Sequence, residues 1–334
     1  PAGPPRRPIA LLADSPAVRE EPIDPVLERI RIELEDGARE ARALGATALA
    51  ARLGRAAGDL ADWTAGASLV PLATTIDRVL EIGHRAAKDL DRSVSWVVTG
   101  RGIAVERDVA SWLEGHLGHL VANALQHGLE PPETRREGKK PVEGRIWIAV
   151  ELVRGGLAVD VTDDGRGLAE GGATAEAVFR TGGSRPGGLP SLAAETRSRG
   201  GDVLARSERG AGTQVGIRVP VRRARLEGIL VDAGGEFALP ADRVRDVAGA
   251  GVDARDLADL LWSGPRAPER RATVRLETAS GPLTIGVGRL GPRRSILVHP
   301  IHLPSPTAVA AVFRAEGGLG YFLDADALAE AART

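Results

Sequence analysis

The stretch His119-Leu-Val-Ala-Asn123-Ala-Leu-Gln-His127-Gly-Leu-Glu130, followed after two strand-like runs by Asp163-Asp-Gly165-Arg-Gly167, decides how the chain is read. On a helix the spacing i, i+4, i+8 puts His119, Asn123 and His127 on one face, so a single face can meet a single ligand. An asparagine oxygen is a hard ligand suited to Mg²⁺ carrying nucleotide phosphates, and a histidine beside a transferring phosphoryl group can orient it or accept a proton. Asp163 ends the apolar run Leu157 to Thr162, where its carboxylate can accept the amino hydrogen bond of an adenine. Gly165 and Gly167 allow close backbone approach. Alone, Asp-x-Gly-x-Gly is a common turn; behind an asparagine-bearing helix it becomes a candidate nucleotide site.

Working outward, periodicity predicts a helix over Leu72 to Leu90, a strand over Val94 to Val98 and a helix over Asp108 to Gln126. Strands Arg145 to Leu152 and Leu157 to Thr162 follow, joined by the turn signal Arg154-Gly155-Gly156. A helix over Leu189 to Arg199 and strands Val203 to Ser207 and Thr213 to Pro220 complete an α/β sandwich with a mixed or antiparallel sheet. Upstream, Asp24 to Trp63 reads as two helices turning at Gly45, with Leu27, Ile30, Leu34, Ala38 and Ala41 on one apolar face. Such a hairpin reads either as a lid packed on its own domain or as half of a dimer's four-helix bundle, and in the second case the Ala-rich run Ala46 to Ala57 makes a thin seam and a weak homodimer. Beyond Arg222, short strands recur around Gly234-Gly235, Ser280-Gly281 and Gly317-Gly318, the pattern of small β-barrels. The proline-rich start, Pro1 to Pro22, reads as a linker.

Composition narrows the function classes. Lys plus Arg number 44 against 45 Asp plus Glu, so no global field draws the chain to nucleic acid. With no cysteine there is neither a disulfide framework nor a thiolate zinc site, which suits a cytoplasmic protein. No apolar run approaches the roughly 18 residues of a membrane helix, so no direct membrane insertion is expected. Methionine is absent even at position 1, and the chain reads as a piece of something longer.

The segment His119 to Gly167 resembles the N box and first glycine box of the chemotaxis histidine kinase CheA family. The likeness extends through Gly128-Leu-Glu-Pro-Pro-Glu-Thr-Arg, Gly138-Lys-Lys-Pro and Thr162-Asp-Asp-Gly-Arg-Gly-Leu, and downstream through Gly200-Gly-Asp-Val and Ser207-Glu-Arg-Gly-Ala-Gly-Thr213. Gly228-Ile-Leu-Val-Asp-Ala-Gly-Gly-Glu-Phe-Ala-Leu-Pro resembles the CheW-like regulatory domain. The resemblance covers about residues 24 to 330. It implies an α+β chain: a linker over 1–23, a helical hairpin over 24–68, a GHKL (Bergerat-type) ATP-binding kinase domain over 69–222, and a CheW-like double SH3-like β-barrel over 223–334.

Carried over by resemblance, Asn123 binds Mg²⁺, Asp163 binds the adenine of ATP, and Gly165 and Gly167 line the nucleotide's approach. His119 is the polar activator and His127 sits near the phosphates. Gly210, Gly212 and Thr213 close the adenine pocket. The family transfers the γ-phosphoryl group to a histidine on a separate phosphoacceptor domain and then to a response regulator. Its partners are a CheW-type adaptor and chemoreceptors, at cytoplasmic receptor arrays. The sequence departs from the family in its ATP lid. Val178-Phe-Arg-Thr-Gly-Gly-Ser184 is similar to the first lid element, but Arg185-Pro-Gly-Gly-Leu-Pro190 is a poor second glycine box. Pro186 and Pro190 each remove a backbone donor, leaving Gly187 and Gly188 to form a small phosphate nest. A short lid supports an alternative: a catalytically impaired scaffold coupling receptors to CheW-type adaptors.

Overall fold

The computed structural model describes residues 25–67, 69–167, 189–249, 254–261, 272–301, 308–315 and 318–333. The linker expected over 1–23 lies outside them, as do Gly187 and Gly188 and nearly all of the shortened lid.

Two helices open the described chain, α1 (Pro25–Ala43) and α2 (Thr47–Ala67). They pack through a seam of buried alanines, Ala38, Ala41, Ala50 and Ala57, with Gly45 and Ala46 donating back to Arg42 and Ala41 across the turn. Ile30, expected on the inward face, is instead 41% exposed. The small alanines hold the helices together without needing it. Arg314, from the C-terminal region, lies against Gly58 and donates to the Arg55 carbonyl at 2.9 Å.

The middle of the chain is a five-stranded mixed sheet in the order β2-β4-β5-β7-β6. Its members are β2 (Val94–Thr99), β4 (Gly144–Val153), β5 (Gly156–Asp163), β6 (Asp202–Glu208) and β7 (Gly212–Val219). Only β2 and β4 run parallel; the other pairs are antiparallel. Helices α3 (Leu72–Asp89), α4 (Arg107–Asn123) and α6 (Leu189–Ser198) supply the second layer. Each is amphipathic: α3 buries Leu72, Thr75, Ile76, Val79, Gly83 and Ala87, the three- and four-residue spacing of one helical face. Alternate strand residues Leu157, Val159 and Val161 meet this layer, as do Val215 and Ile217 of β7. By the same alternation Asp163, last in β5, projects toward the helices.

The predicted helix over 108–126 is not one regular helix. α4 ends at Asn123 and continues as a π turn, Ala124–Gly128, closed by Leu129 N–H on the Ala124 carbonyl at 2.7 Å. A short helix, α5 (Pro132–Glu137), follows.

In the C-terminal region β8 (Ala224–Asp232), β14 (Arg289–Pro300), β15 (Val309–Ala315), β16 (Gly318–Leu323) and β9 (Glu236–Pro240) pair in that order, and β9 pairs back onto β8. This closes a five-stranded barrel around Ile296, Val298, Phe313 and Phe322. A second sheet, β10-β12-β13-β11, comprises β10 (Val244–Gly249), β11 (Arg255–Asp256), β12 (Ala272–Thr278) and β13 (Gly281–Val287). It buries Val274, Leu276, Ile285 and Val287 with Leu257 of the short α7 (Leu257–Leu261) and Leu328 of α8 (Ala325–Ala331).

The short strands β1 (Leu69–Pro71) and β3 (Ala104–Glu106), unseen in the sequence, join the two halves. β3 pairs with β8 through Ala104↔Arg225 and Val105↔Ala224, and the Arg223 N–H donates to Glu106 at 3.1 Å. One hydrophobic cluster therefore runs from Leu72 to Phe322. The β4–β5 hairpin adds Gly155 N–H to the Ile301 carbonyl at 3.1 Å, and Arg243 pairs with Glu151 at 2.5 Å and Asp326 at 3.4 Å. Between these ties lies a cavity of about 170 Å³, lined by Gly100–Ile103, Val150–Leu152 and Phe322–Asp326.

Candidate nucleotide site

The site is assembled where β5 ends. Asp163 is 4% exposed, and one carboxylate oxygen accepts the Gly165 N–H at 2.9 Å. Burial pushes its carboxyl up to about 7; the N–H groups of Gly165 and Thr213 oppose this, while the negative charges of Asp164 and Glu130 reinforce it. A buried carboxylate held by backbone donors and left with acceptor capacity suits a neutral donor such as an amino group.

The glycines around it are there for space. A Cβ on Gly165 would collide with the Gly128 carbonyl, and one on Gly212 (φ +114) would collide with the Asp163 carbonyl. The Arg166 N–H donates to the Gly128 carbonyl at 3.0 Å, its Nε to the His127 carbonyl at 2.8 Å, and its own carbonyl accepts Gly210 N–H at 2.7 Å. Thr213 pairs in register with Asp163, and its hydroxyl lies 3.0 Å from Ser207 Oγ. Thus Asp163, Gly165, Gly167, Gly210, Gly212 and Thr213, spread over 51 positions of the sequence numbering between the first and last, converge on one corner of the fold beside the π turn.

His119 and Asn123 are half-buried on the last turns of α4, and His127 is exposed within the π turn. The expected i, i+4, i+8 helical face therefore ends at Asn123, because the wider i→i+5 turn rotates and lowers the positions after it. Such turns recur at functional sites. Of the remaining histidines, His116 is engaged with Glu195 of α6 (Nε2 to Oε2 2.8 Å) and packs on Trp112 with ring centroids 4.9 Å apart. Burial lowers the His116 imidazole more than Glu195 raises it.

Two residues, Arg135 and Lys140, carry weight that the sequence reading left unassigned. Arg135, 1% exposed, donates to Glu130 (3.1 Å), to the Asp164 carboxylate (2.8 Å) and carbonyl (3.3 Å), and to the Pro141 carbonyl (2.7 Å). Lys140 Nζ donates to Glu130 (2.8 Å) and to the carbonyls of Asp164 (3.0 Å) and Gly165 (2.6 Å). The signal was present in Gly128-Leu-Glu-Pro-Pro-Glu-Thr-Arg and Gly138-Lys-Lys-Pro, but nothing in the spacing said that these charges fold back onto Asp164.

Residues 108–223 match the family of histidine kinase-, DNA gyrase B- and HSP90-like ATPases. The chemotaxis protein CheA of Salmonella typhimurium is 28% identical over 58% of this chain and 34% of its own length. CheA of Bacillus subtilis is 25% identical over 70% and 39%. The chain is CheA-like. A gliding motility regulatory protein of Myxococcus xanthus is also 28% identical, over 67% of this chain and 33% of its own length. The CheA-like chain thus spans about a third of the length of these curated relatives. Among solved structures, a histidine kinase domain from the Erythrobacter litoralis EL346 blue-light activated histidine kinase aligns at 19% identity over 59% of the chain with a TM-score of 0.35. Among the described residues no helix of this CheA-like chain is long and apolar enough to cross a membrane.

Proposed function

We propose that the chain is the core of a two-component sensor histidine kinase of a chemosensory pathway, which binds Mg-ATP and transfers the γ-phosphoryl group to a histidine on a separate phosphoacceptor domain and thence to a response regulator. The observation that carries this is the buried Asp163 carboxylate, faced by backbone N–H groups and walled by glycines where any side chain would intrude. In this reading Asp163 accepts the adenine amino hydrogen bond, and Thr213 with Gly210 and Gly212 closes the base pocket. Gly165 and Gly167 admit the nucleotide, Asn123 offers its amide oxygen to Mg²⁺, and His119 and His127 flank the phosphates. Bound Mg²⁺ would offset phosphate charge, with the phosphates themselves completing its ligand set; the described residues contain no cluster of His, Asp or Glu able to cage a metal.

The same reading assigns the closed barrel and its companion sheet to a CheW-like double SH3-like module that docks a CheW-type adaptor and, through it, chemoreceptors at a cytoplasmic array. It assigns α1 and α2 to a truncated, weakly dimerising hairpin, supported by Ile30, Ile32 and Leu49, all more than 40% exposed. Titration of the chain with ATP, with and without Mg²⁺, tests the kinase reading. Binding in the micromolar to low millimolar range is expected. If none occurs at millimolar ATP with Mg²⁺, the impaired scaffold, which shares the barrel but not the chemistry, takes its place.

A further inference from the structure

The geometry points to Lys140 as the positioning residue of the adenine acceptor, aiming the backbone donor that holds the Asp163 carboxylate. This rests on the adenine role proposed for Asp163. A trans peptide is planar, so its C=O and N–H point in opposite directions and fixing one aims the other. Lys140 Nζ holds the Asp164 carbonyl at 3.0 Å, and the N–H of that same peptide is the Gly165 N–H that reaches Asp163 at 2.9 Å. It also holds the Gly165 carbonyl at 2.6 Å, and the N–H at the other end of that peptide, on Arg166, reaches the Gly128 carbonyl at 3.0 Å. One ammonium thus orients two successive peptides, one toward the acceptor and one toward the π turn. Placed on the carbonyl side, its charge also polarises both N–H groups as donors.

The fold spends strain on this placement. Lys139 adopts φ +55, in the left-handed region that side chains disfavour by about 1–2 kcal/mol. The α5 end is wound tightly under it, with Gly138, Lys139 and Lys140 N–H groups donating to the Thr134, Arg136 and Arg135 carbonyls. Such strain persists where surrounding contacts over-determine the backbone, and the three bonds of Lys140 are those contacts. Arg135 touches the Asp164 carbonyl too, but at 3.3 Å and with its guanidinium shared among four acceptors.

Among the described residues the charged groups around Asp163 are Asp164 and Arg166 in its own turn, Glu130 after the π turn, and Lys140 and Arg135 behind the turn; β7 contributes the uncharged Thr213 N–H and the π turn Gly128. Burial raises the Glu130 carboxyl, but the hydrogen bond and charge of Lys140 hold it below the ordinary range. Removing the ammonium therefore loosens the donor to Asp163 and unmasks Glu130 beside it, and both effects make Asp163 harder to ionise.

The test is Lys140→Gln in the full chain, with Lys140→Arg as the charge-keeping control, read in two ways. Carboxyl-carbon NMR of Asp163 follows its titration without nucleotide. The midpoint should move upward by about one pH unit in Lys140→Gln, the size expected from losing one charge-assisted hydrogen bond, and by much less in Lys140→Arg. ADP binding without Mg²⁺ should weaken about fivefold at pH 7, the ratio of the ionised fractions for midpoints near 7 and 8, and recover toward wild type at pH 9, where Asp163 is ionised in both proteins. An unshifted Asp163 titration in a folded Lys140→Gln chain overturns the inference. If wild type binds no ADP while the titration still shifts, Lys140 positions Asp163 as stated and it is the nucleotide reading that fails.

Discussion

Asp163 is the residue on which binding and stability pull in opposite directions. Its folded carboxyl sits at about 7 against an ordinary 3.8, raised above the unfolded value. Its contribution to stability is therefore complete below about pH 3.8 and is lost as pH rises through 7. In the proposed adenine role the amino hydrogen bond is stronger to the ionised form, so ATP affinity should rise through the same window, and binding at pH 6 should release a proton. Calorimetry at pH 6 in two buffers of different ionisation enthalpy measures that proton; Asp163→Asn should abolish it. The same substitution should weaken ATP and ADP alike by roughly 1.5–3 kcal/mol, the value of a charge-assisted hydrogen bond. Asn123→Asp should leave ADP binding without Mg²⁺ nearly unchanged while phosphoryl transfer to a supplied acceptor domain falls sharply. Equal losses of Mg²⁺-free ADP affinity in both variants would contradict the division of roles between base and metal.

At the scale of elements, the site exists because three turns interlock: the π turn after α4, the glycine turn after β5, and the turn between β6 and β7. The end of α5 clamps them from behind. Gly165→Ala forces a methyl into the Gly128 carbonyl, so the β5 turn and the π turn must separate. A loss of about 1–3 kcal/mol is expected from such overpacking, seen as an earlier denaturant midpoint together with lost nucleotide binding. Arg135→Met removes the cation from between Glu130 and Asp164 in a buried setting. Leaving those carboxylates with less compensation should cost about 3–5 kcal/mol, a larger loss than at Gly165, and chemical denaturation of the two variants side by side tests the order.

Across the whole molecule, the α/β sandwich and the C-terminal barrel share strand pairs and a continuous apolar cluster rather than a linker. Cutting the chain after residue 222 would strip β3 of its β8 partner and Glu106 of the Arg223 N–H, exposing Val105 and Leu72 beneath. The fragment ending there should unfold at a lower temperature than the same sandwich does within the full chain. In the full chain, tryptophan fluorescence and far-ultraviolet circular dichroism should report one shared transition for the two halves. Two well-separated transitions would show that the β3–β8 seam transmits little. β5 itself begins beside Ile301 and ends at Asp163.

Local patterns alone were enough for the long elements. Helical periodicity placed α3, α4 and α6, alternation placed β4, β5 and β7, and Gly155-Gly156 marked the hairpin between β4 and β5, because these depend on residues close in the chain. The site residues that could be read were those whose chemistry is unusual for their place: an aspartate ending an apolar strand, glycines beside it, an asparagine on a mostly apolar helix. The π turn, the three-residue strands β1 and β3 and the charges of Arg135 and Lys140 were not legible, since each is decided by a partner far away. β1 and β3 are strands only because β8 offers an edge, and Lys140 acts only because α5 folds it beneath the carbonyls of Asp164 and Gly165. Short-range spacing dictates periodicity; which buried polar group finds which partner is settled only once the chain has closed on itself.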